Sequence, residues 1–324
     1  MYPNFYNPDN KDKVYPIPHE AILSAARANR ANCEPVSKDQ SRRLLLGIDW
    51  QLDFVHPEYA LPVAGAVEDA QRFTEFIYNN INTITKILMT MDTHLQWQIF
   101  HPVFWINARG EHPVPGVTII TEEDIDKGLW KANPQACYAI WNHNKDDEYL
   151  QKYVLHYVQT LEAQEKQNLV IWPHHCLLGS PGHALVPNIL EAIEYHGHLR
   201  NSQARFETKG VNALTEYYGA FAAECLHDHN GGKFMHPNTD LFEEIMGYDE
   251  IIIGGEASSH CLATTVYQML DMGADADKIT ILSDCTSPVV IDGVADFTAQ
   301  EEAAFLDFTN AGIHIRKSTD TGWL

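Results

Sequence analysis

The sequence predicts a three-layer α/β/α fold built on a mainly parallel sheet, with an inserted cap segment, and three observations carry that expectation. Apolar runs of strand length, such as residues 44–48 and 87–91, alternate with amphipathic stretches of helical period. The runs are continuously apolar, as strands covered on both faces are. Polar residues follow several of them directly, at the end where a parallel sheet opens its ligand crevice.

Taken in order, residues 1–40 are rich in Pro, Asn and charge, with one helical pattern over 20–29. They read as an arm laid over the surface or over a neighbouring subunit, the second case giving a homo-oligomer. From residue 41 to 324 the chain reads as one domain. Strands are expected at 44–48, 87–91, 168–172, 204–208, 250–254, 278–283 and 312–316, and helices at 67–85, 185–196, 241–246, 259–273 and 298–310. Residues 102–167 are too long for an ordinary strand-to-helix connection. They contain Pro113-Val114-Pro115-Gly116, the acidic run Glu122-Glu123-Asp124-Ile125-Asp126 and an amphipathic stretch over 147–163, and read as a cap subdomain. Residues 225–238 form a loop insertion with His227, His229 and His236 around Asn230-Gly231-Gly232. Without acidic or cysteine partners at tight spacing, a solvated loop is the stronger reading there than a metal site.

The chain has 324 residues and a formal charge of −22, which argues against general affinity for nucleic acid or anionic membranes, because phosphate would be repelled. Six cysteines (Cys33, Cys137, Cys176, Cys225, Cys261, Cys285) form no CxxC pair, so neither a zinc ribbon nor a small disulfide scaffold is indicated. A reducing cytoplasm is the simplest setting. The first residues show no charged and apolar leader pattern and no run approaches membrane-spanning length, so neither secretion nor membrane insertion is expected.

The chemistry gathers at strand ends. After the apolar Ile251-Ile252-Ile253 comes Gly254-Gly255-Glu256-Ala257-Ser258-Ser259-His260-Cys261, which places Cys261 in the first turn of a helix. Unpaired N–H groups there favour a thiolate and could meet an oxyanion, although a small core residue also suits a strand-helix junction. Asp49, after the first strand, can act as a general acid/base or cap the next turn. Asp92 and His94 alternate in an extended segment and can face one ion, with His101 returning from the loop and a further imidazole from Trp172-Pro173-His174-His175-Cys176. Such a set suits Zn, Fe or Mn; separate, locally bonded histidines are the alternative. Lys209 is a surface lysine unless it joins Asp49 and Cys261, where its charge would lower the thiol pKa.

Four separated segments then resemble one family, in chain order as well. Asp49-Trp50-Gln51-Leu52-Asp53-Phe54, Asp92-Thr93-His94, Trp172 to Cys176 followed by Gly179-Ser180-Pro181-Gly182, and Gly254 to Cys261 are similar to the isochorismatase-like cysteine hydrolases, nicotinamidase branch. The likeness covers residues 43–101, 168–221 and 248–316. It implies a triad of Asp49, Lys209 and Cys261, and one divalent ion on Asp92, His94, His101 and His175, zinc first with iron or manganese as alternatives. It further implies pocket rings from Phe54, Trp172 and Tyr218, a non-nucleophilic Cys176, and a cis bond between Ala257 and Ser258 beside the oxyanion. Ser259 departs from the acidic residue usual in the family. The activity implied is amide hydrolysis, nicotinamide to nicotinate and ammonia, within NAD salvage. A carbamoyl or ureido substrate on the same triad, and a scaffold protein without activity, are the competing expectations.

Overall fold

The computed structural model describes residues 2–142, 146–164, 168–291 and 293–323; Met1 of the expected arm, residues 143–145 and 165–167 of the expected cap, residue 292 and Leu324 lie outside them. At the centre runs β1 (Arg43–Ile48). It pairs in parallel with β2 (Lys86–Asp92), which pairs with β3 (Arg205–Lys209). On its other side β1 pairs with β4 (Glu250–Gly255), followed outward by β5 (Ile279–Leu282) and β6 (His314–Arg316), all parallel. The order is therefore β6-β5-β4-β1-β2-β3. It reverses between β1 and β4, and a doubly wound sheet opens its crevice above the strand ends at such a reversal.

The continuous apolar runs divide by strand alternation between two cores. Leu45, Met89 and Ile252 point to one side, where they pack with Ile22 of α1 (His19–Asn29), Phe73 and Phe76 of α2 (Ala66–Asn79) and Ile189 of a helix over Pro187–Arg200. Leu44, Leu46, Ile253 and Ile281 point to the other, against Ile245 of the helix Thr239–Met246, Val266 of Ala263–Asp271 and Phe308 of Thr298–Ala311. Strands clad on both faces need both surfaces apolar, so these segments lack polar alternation. The close fit of β4 on β1 requires glycine at its end: Gly255 has φ +143°, and a Cβ there would stand 2.1 Å from the Ile48 carbonyl oxygen.

The arm folds back on its own chain. The Tyr6 hydroxyl donates to Glu75 of α2 at 3.2 Å, Lys11 pairs with Glu68 at 2.9 Å, and Asn29 donates to the Tyr195 hydroxyl at 3.1 Å. Residues of the insertion build a third apolar cluster, in which Tyr153, Val154 and Tyr157 of α3 (Asp147–Gln164) pack with Phe104, Trp105 and Ile120. One expected sheet strand belongs here instead. Leu169–Val170 pairs antiparallel with Ile119–Ile120, outside the central sheet, because an apolar run reports burial and not which partner supplies it. Among the described residues no helix is long and apolar enough to cross a membrane.

Candidate active site

Lys209 ends β3 and is buried, with its ammonium at the point where several strand ends meet. Nζ lies 2.8 Å from Asp49 Oδ2 and 3.1 Å from Asp92 Oδ1, donates to the Tyr217 carbonyl at 3.0 Å, and stands 3.7 Å from Cys261 Sγ. Asp49 follows β1 in a left-handed turn (φ +49°), and its Oδ1 accepts from the Thr90 hydroxyl of β2 at 2.5 Å. Burial disfavours the ammonium, but the two carboxylates outweigh it and hold Lys209 well above the ordinary lysine range. Burial also pushes the Asp49 carboxyl up, against the pull of Lys209.

Cys261 is buried beside Lys209. It sits in a π-helical turn, Ser258–Leu262, ahead of the α-helix Ala263–Asp271, and burial pushes its thiol well up despite the lowering influence of Lys209. Desolvation is the stronger of the two effects.

Asp92 at the end of β2, His94 and His175 are all buried, and one ligand atom from each lies within 4.8 Å of the others. The tautomers are set from behind. His94 Nδ1 stands 3.2 Å from the Gly210 carbonyl and His175 Nδ1 2.8 Å from the Pro173 carbonyl, and because a carbonyl only accepts, each Nδ1 carries the proton. Both Nε2 atoms then turn toward Asp92 Oδ2, at 2.8 Å and 3.8 Å. Two imidazole nitrogens and a carboxylate oxygen gathered at this spacing make a donor set that fits a divalent metal. Burial keeps His175 neutral, at about 3, while Asp92, although itself buried, is held well below its usual range by His94 and Lys209. Gly210 permits this packing: at φ +86°, a Cβ would stand 2.8 Å from the His94 ring. His101 is not within the same close group. Its ring centre is 6.0 Å from that of His94 and 5.9 Å from that of His175, with Nδ1 3.2 Å from the Gln96 carbonyl and a buried Nε2 that has no hydrogen-bond partner among the described residues.

Phe54, Trp172 and Tyr218 line one hollow of about 650 Å³ together with Asp92, His94, His175 and Cys261. The buried Cys176 is elsewhere engaged, its N–H donating to Asp53 Oδ2 at 2.5 Å, and burial pushes its thiol well up. Two residues in this wall carry no sequence signal. Phe100 sets its ring edge on His94 at 4.8 Å between centres, and Glu216 accepts from the Tyr218 hydroxyl at 2.6 Å and from Trp172 Nε1 at 3.1 Å. The cap holds this loop: Tyr153 of α3 donates to the Leu214 carbonyl at 2.7 Å, and the Tyr157 hydroxyl accepts from the Glu216 N–H at 3.0 Å. The histidines of 225–238 stay apart from the site. His227 bridges to Lys233 across the loop, the Asp228 N–H donates to the Gly232 carbonyl, and the Tyr149 hydroxyl of α3 donates to Asp228 at 2.7 Å.

Burial pushes Glu216 up from 4.5 to about 8. Between these values the folded protein holds a proton the unfolded chain has lost, so its contribution to stability is complete below pH 4.5 and declines as pH rises toward 8. The slope approaches about 1.4 kcal/mol per pH unit at most. Urea denaturation of wild type between pH 5 and pH 8 should show this fall, and Glu216→Gln should flatten it; parallel curves would show that Glu216 is ionised throughout.

At the end of β4 the cis bond lies between Glu256 and Ala257, one residue before the expected Ala257 to Ser258 position. The bend follows the strand at once, since β4 runs to Gly255. The Ser258 N–H is already engaged by the Ser287 carbonyl at 3.0 Å, whereas the Ala257 N–H, in the wall of the hollow, has no hydrogen-bond partner among the described residues.

No family model matches the chain. A nicotinamidase of Saccharomyces cerevisiae is 24% identical over 157 residues, which are 48% of this chain and 65% of that protein, under two thirds of its length. Among solved structures, the yeast nicotinamidase bound to the inhibitor nicotinaldehyde superposes with a TM-score of 0.54 at 19% identity, over 85% of this chain and 99% of that one. An Acinetobacter baumanii nicotinamidase/pyrazinamidase gives 0.53 at 19%, over 87% and 99%. The chain thus shares the fold of these nicotinamidases.

Proposed function

We propose that the protein is a cysteine amidohydrolase of the nicotinamidase type, converting nicotinamide and water to nicotinate and ammonia and so returning the pyridine ring to NAD synthesis. One observation carries the reading: a single buried ammonium, Lys209, touches Asp49, Asp92 and the Cys261 sulfur at once. That unit joins a nucleophile and candidate metal ligands, which line one hollow, to a buried base, and relatives with the same fold bear the name nicotinamidase.

A planar amide enters among Phe54, Trp172 and Tyr218. Asp49, made more basic by burial, takes the Cys261 proton as sulfur attacks the carboxamide carbon, while Lys209 remains charged and stabilises both partners. The Ala257 N–H donates to the oxyanion. The C–N bond then breaks, ammonia leaves with the proton from Asp49, and a water deprotonated by Asp49 opens the thioester. Asp92, His94 and His175 would hold the divalent ion, with His101 the candidate further ligand, and such an ion would supply Lewis acidity beside the substrate pocket.

Ammonia release from nicotinamide tests the proposal. Purified protein should release it, chelation should lower the rate about 100-fold or more, and zinc, iron or manganese should restore it. No release under any of these conditions would sink the substrate assignment, and turnover indifferent to chelation would sink the metal.

A further inference from the structure

His260, the residue before the nucleophile, is used by none of the steps above. Its side chain is 96% buried and lines the same hollow as Cys261. The ring is enclosed by aromatic neighbours, with centres 4.6 Å from Phe297, 5.6 Å from Tyr218 and 5.9 Å from Trp172. Nδ1 has a partner, the Ser259 hydroxyl at 2.8 Å, and that hydroxyl also accepts from the Val289 N–H at 3.0 Å. Nε2 has no hydrogen-bond partner among the described residues.

A polar atom left unpaired in an aromatic wall is costly in the empty protein and becomes an asset when a bound molecule meets it. The imidazole is neutral across the working range, because burial lowers it to about 4. It therefore brings no charge to the pocket and suits an uncharged hydrogen-bonding group. An apolar ring would fill the same space without leaving an orphaned nitrogen, so the hydrogen bond is what His260 adds.

We infer that His260 is a specificity-determining residue whose Nε2 reads an uncharged polar substituent on the ring of the substrate, so that the favoured substrates are aromatic carboxamides bearing a hydroxyl, oxo or amino group. This rests on the amidase reading of the site and narrows its substrate class.

The test compares nicotinamides substituted at each free ring carbon with hydroxyl or with methyl, which are close in size. In wild type, at one ring position, kcat/KM for the hydroxy compound should exceed that for the methyl compound at least tenfold. His260→Phe should bring that ratio to about one, and His260→Gln, which keeps a polar atom on a flexible stem, should recover part of it. The same ratio read as binding affinity by calorimetry on the Cys261→Ala protein does not depend on turnover. A binding preference abolished by adding His260→Phe, with no ammonia released from any compound, would overturn the amidase reading and leave the recognition role standing. Turnover with no hydroxyl preference at any position, or a preference that survives His260→Phe, would overturn the role of His260 and show that Nε2 meets only water. Circular dichroism of each variant separates either result from misfolding.

Discussion

Cys261→Ala should lose ammonia release by on the order of 10⁴-fold or more, because the nucleophile and its base act as a unit and the remaining groups have nothing to activate. The fold and the metal cluster should survive. Cys261 touches Lys209 through its sulfur only, and Asp92, His94 and His175 are bonded among themselves and to backbone carbonyls independently of it. Metal content by elemental analysis, with zinc supplied, should therefore match wild type while turnover vanishes. Retained turnover would move the nucleophile elsewhere; lost metal would mean that the two halves of the site are not separable in this way.

Lys209→Met has the second large effect, and here stability suffers together with activity. The ammonium is the cation shared by Asp49 and Asp92, both buried, at 2.8 Å and 3.1 Å. Methionine fills the space but leaves two carboxylates facing each other without compensation, and breaking a buried pair in this way costs about 3–5 kcal/mol. Urea midpoints should fall accordingly in metal-free protein. The deficit should shrink on acidification: without the cation both groups have folded pKa values raised above their unfolded ones, so the stability they contribute is complete below the unfolded carboxylate range and is lost as pH climbs through the raised values. A loss of less than about 1 kcal/mol would mean that solvent reaches the carboxylates and that the cation is dispensable to the fold.

The sheet was largely legible because its strands are apolar on both faces. Runs such as Ile251-Ile252-Ile253 admit few other readings, and strand ends locate the crevice without knowledge of any long-range contact. Asp49, Asp92, His94, His175, Lys209 and Cys261 were named because each follows such a run or stands in a recognisable motif. What was not legible depends on partners distant in sequence. The strand Leu169–Val170 looks like a sheet strand until Ile119–Ile120 claims it. Glu216 reads as a solvated loop acid, and only the packing around it, which includes Tyr157 of α3 about sixty residues earlier, buries it so that desolvation drives its pKa upward. The burial of Cys261 was hidden for a related reason. A helix end and a lysine can be counted from sequence, but the desolvation that outweighs them depends on how completely the hollow is enclosed. The cis bond was misplaced by one residue, since sequence does not show where β4 stops.

The tyrosine clasps between α3 and the 214–218 loop have a practical consequence. Tyr217 in that loop lends its carbonyl to Lys209, so the inserted segment is wired to the reacting centre through the backbone of the loop. An engineer who trimmed the insertion to obtain a smaller enzyme would slacken the scaffolding of the ammonium itself, and one who wished to retune reactivity without disturbing any group that meets the substrate would find the dial on the far side of the lid.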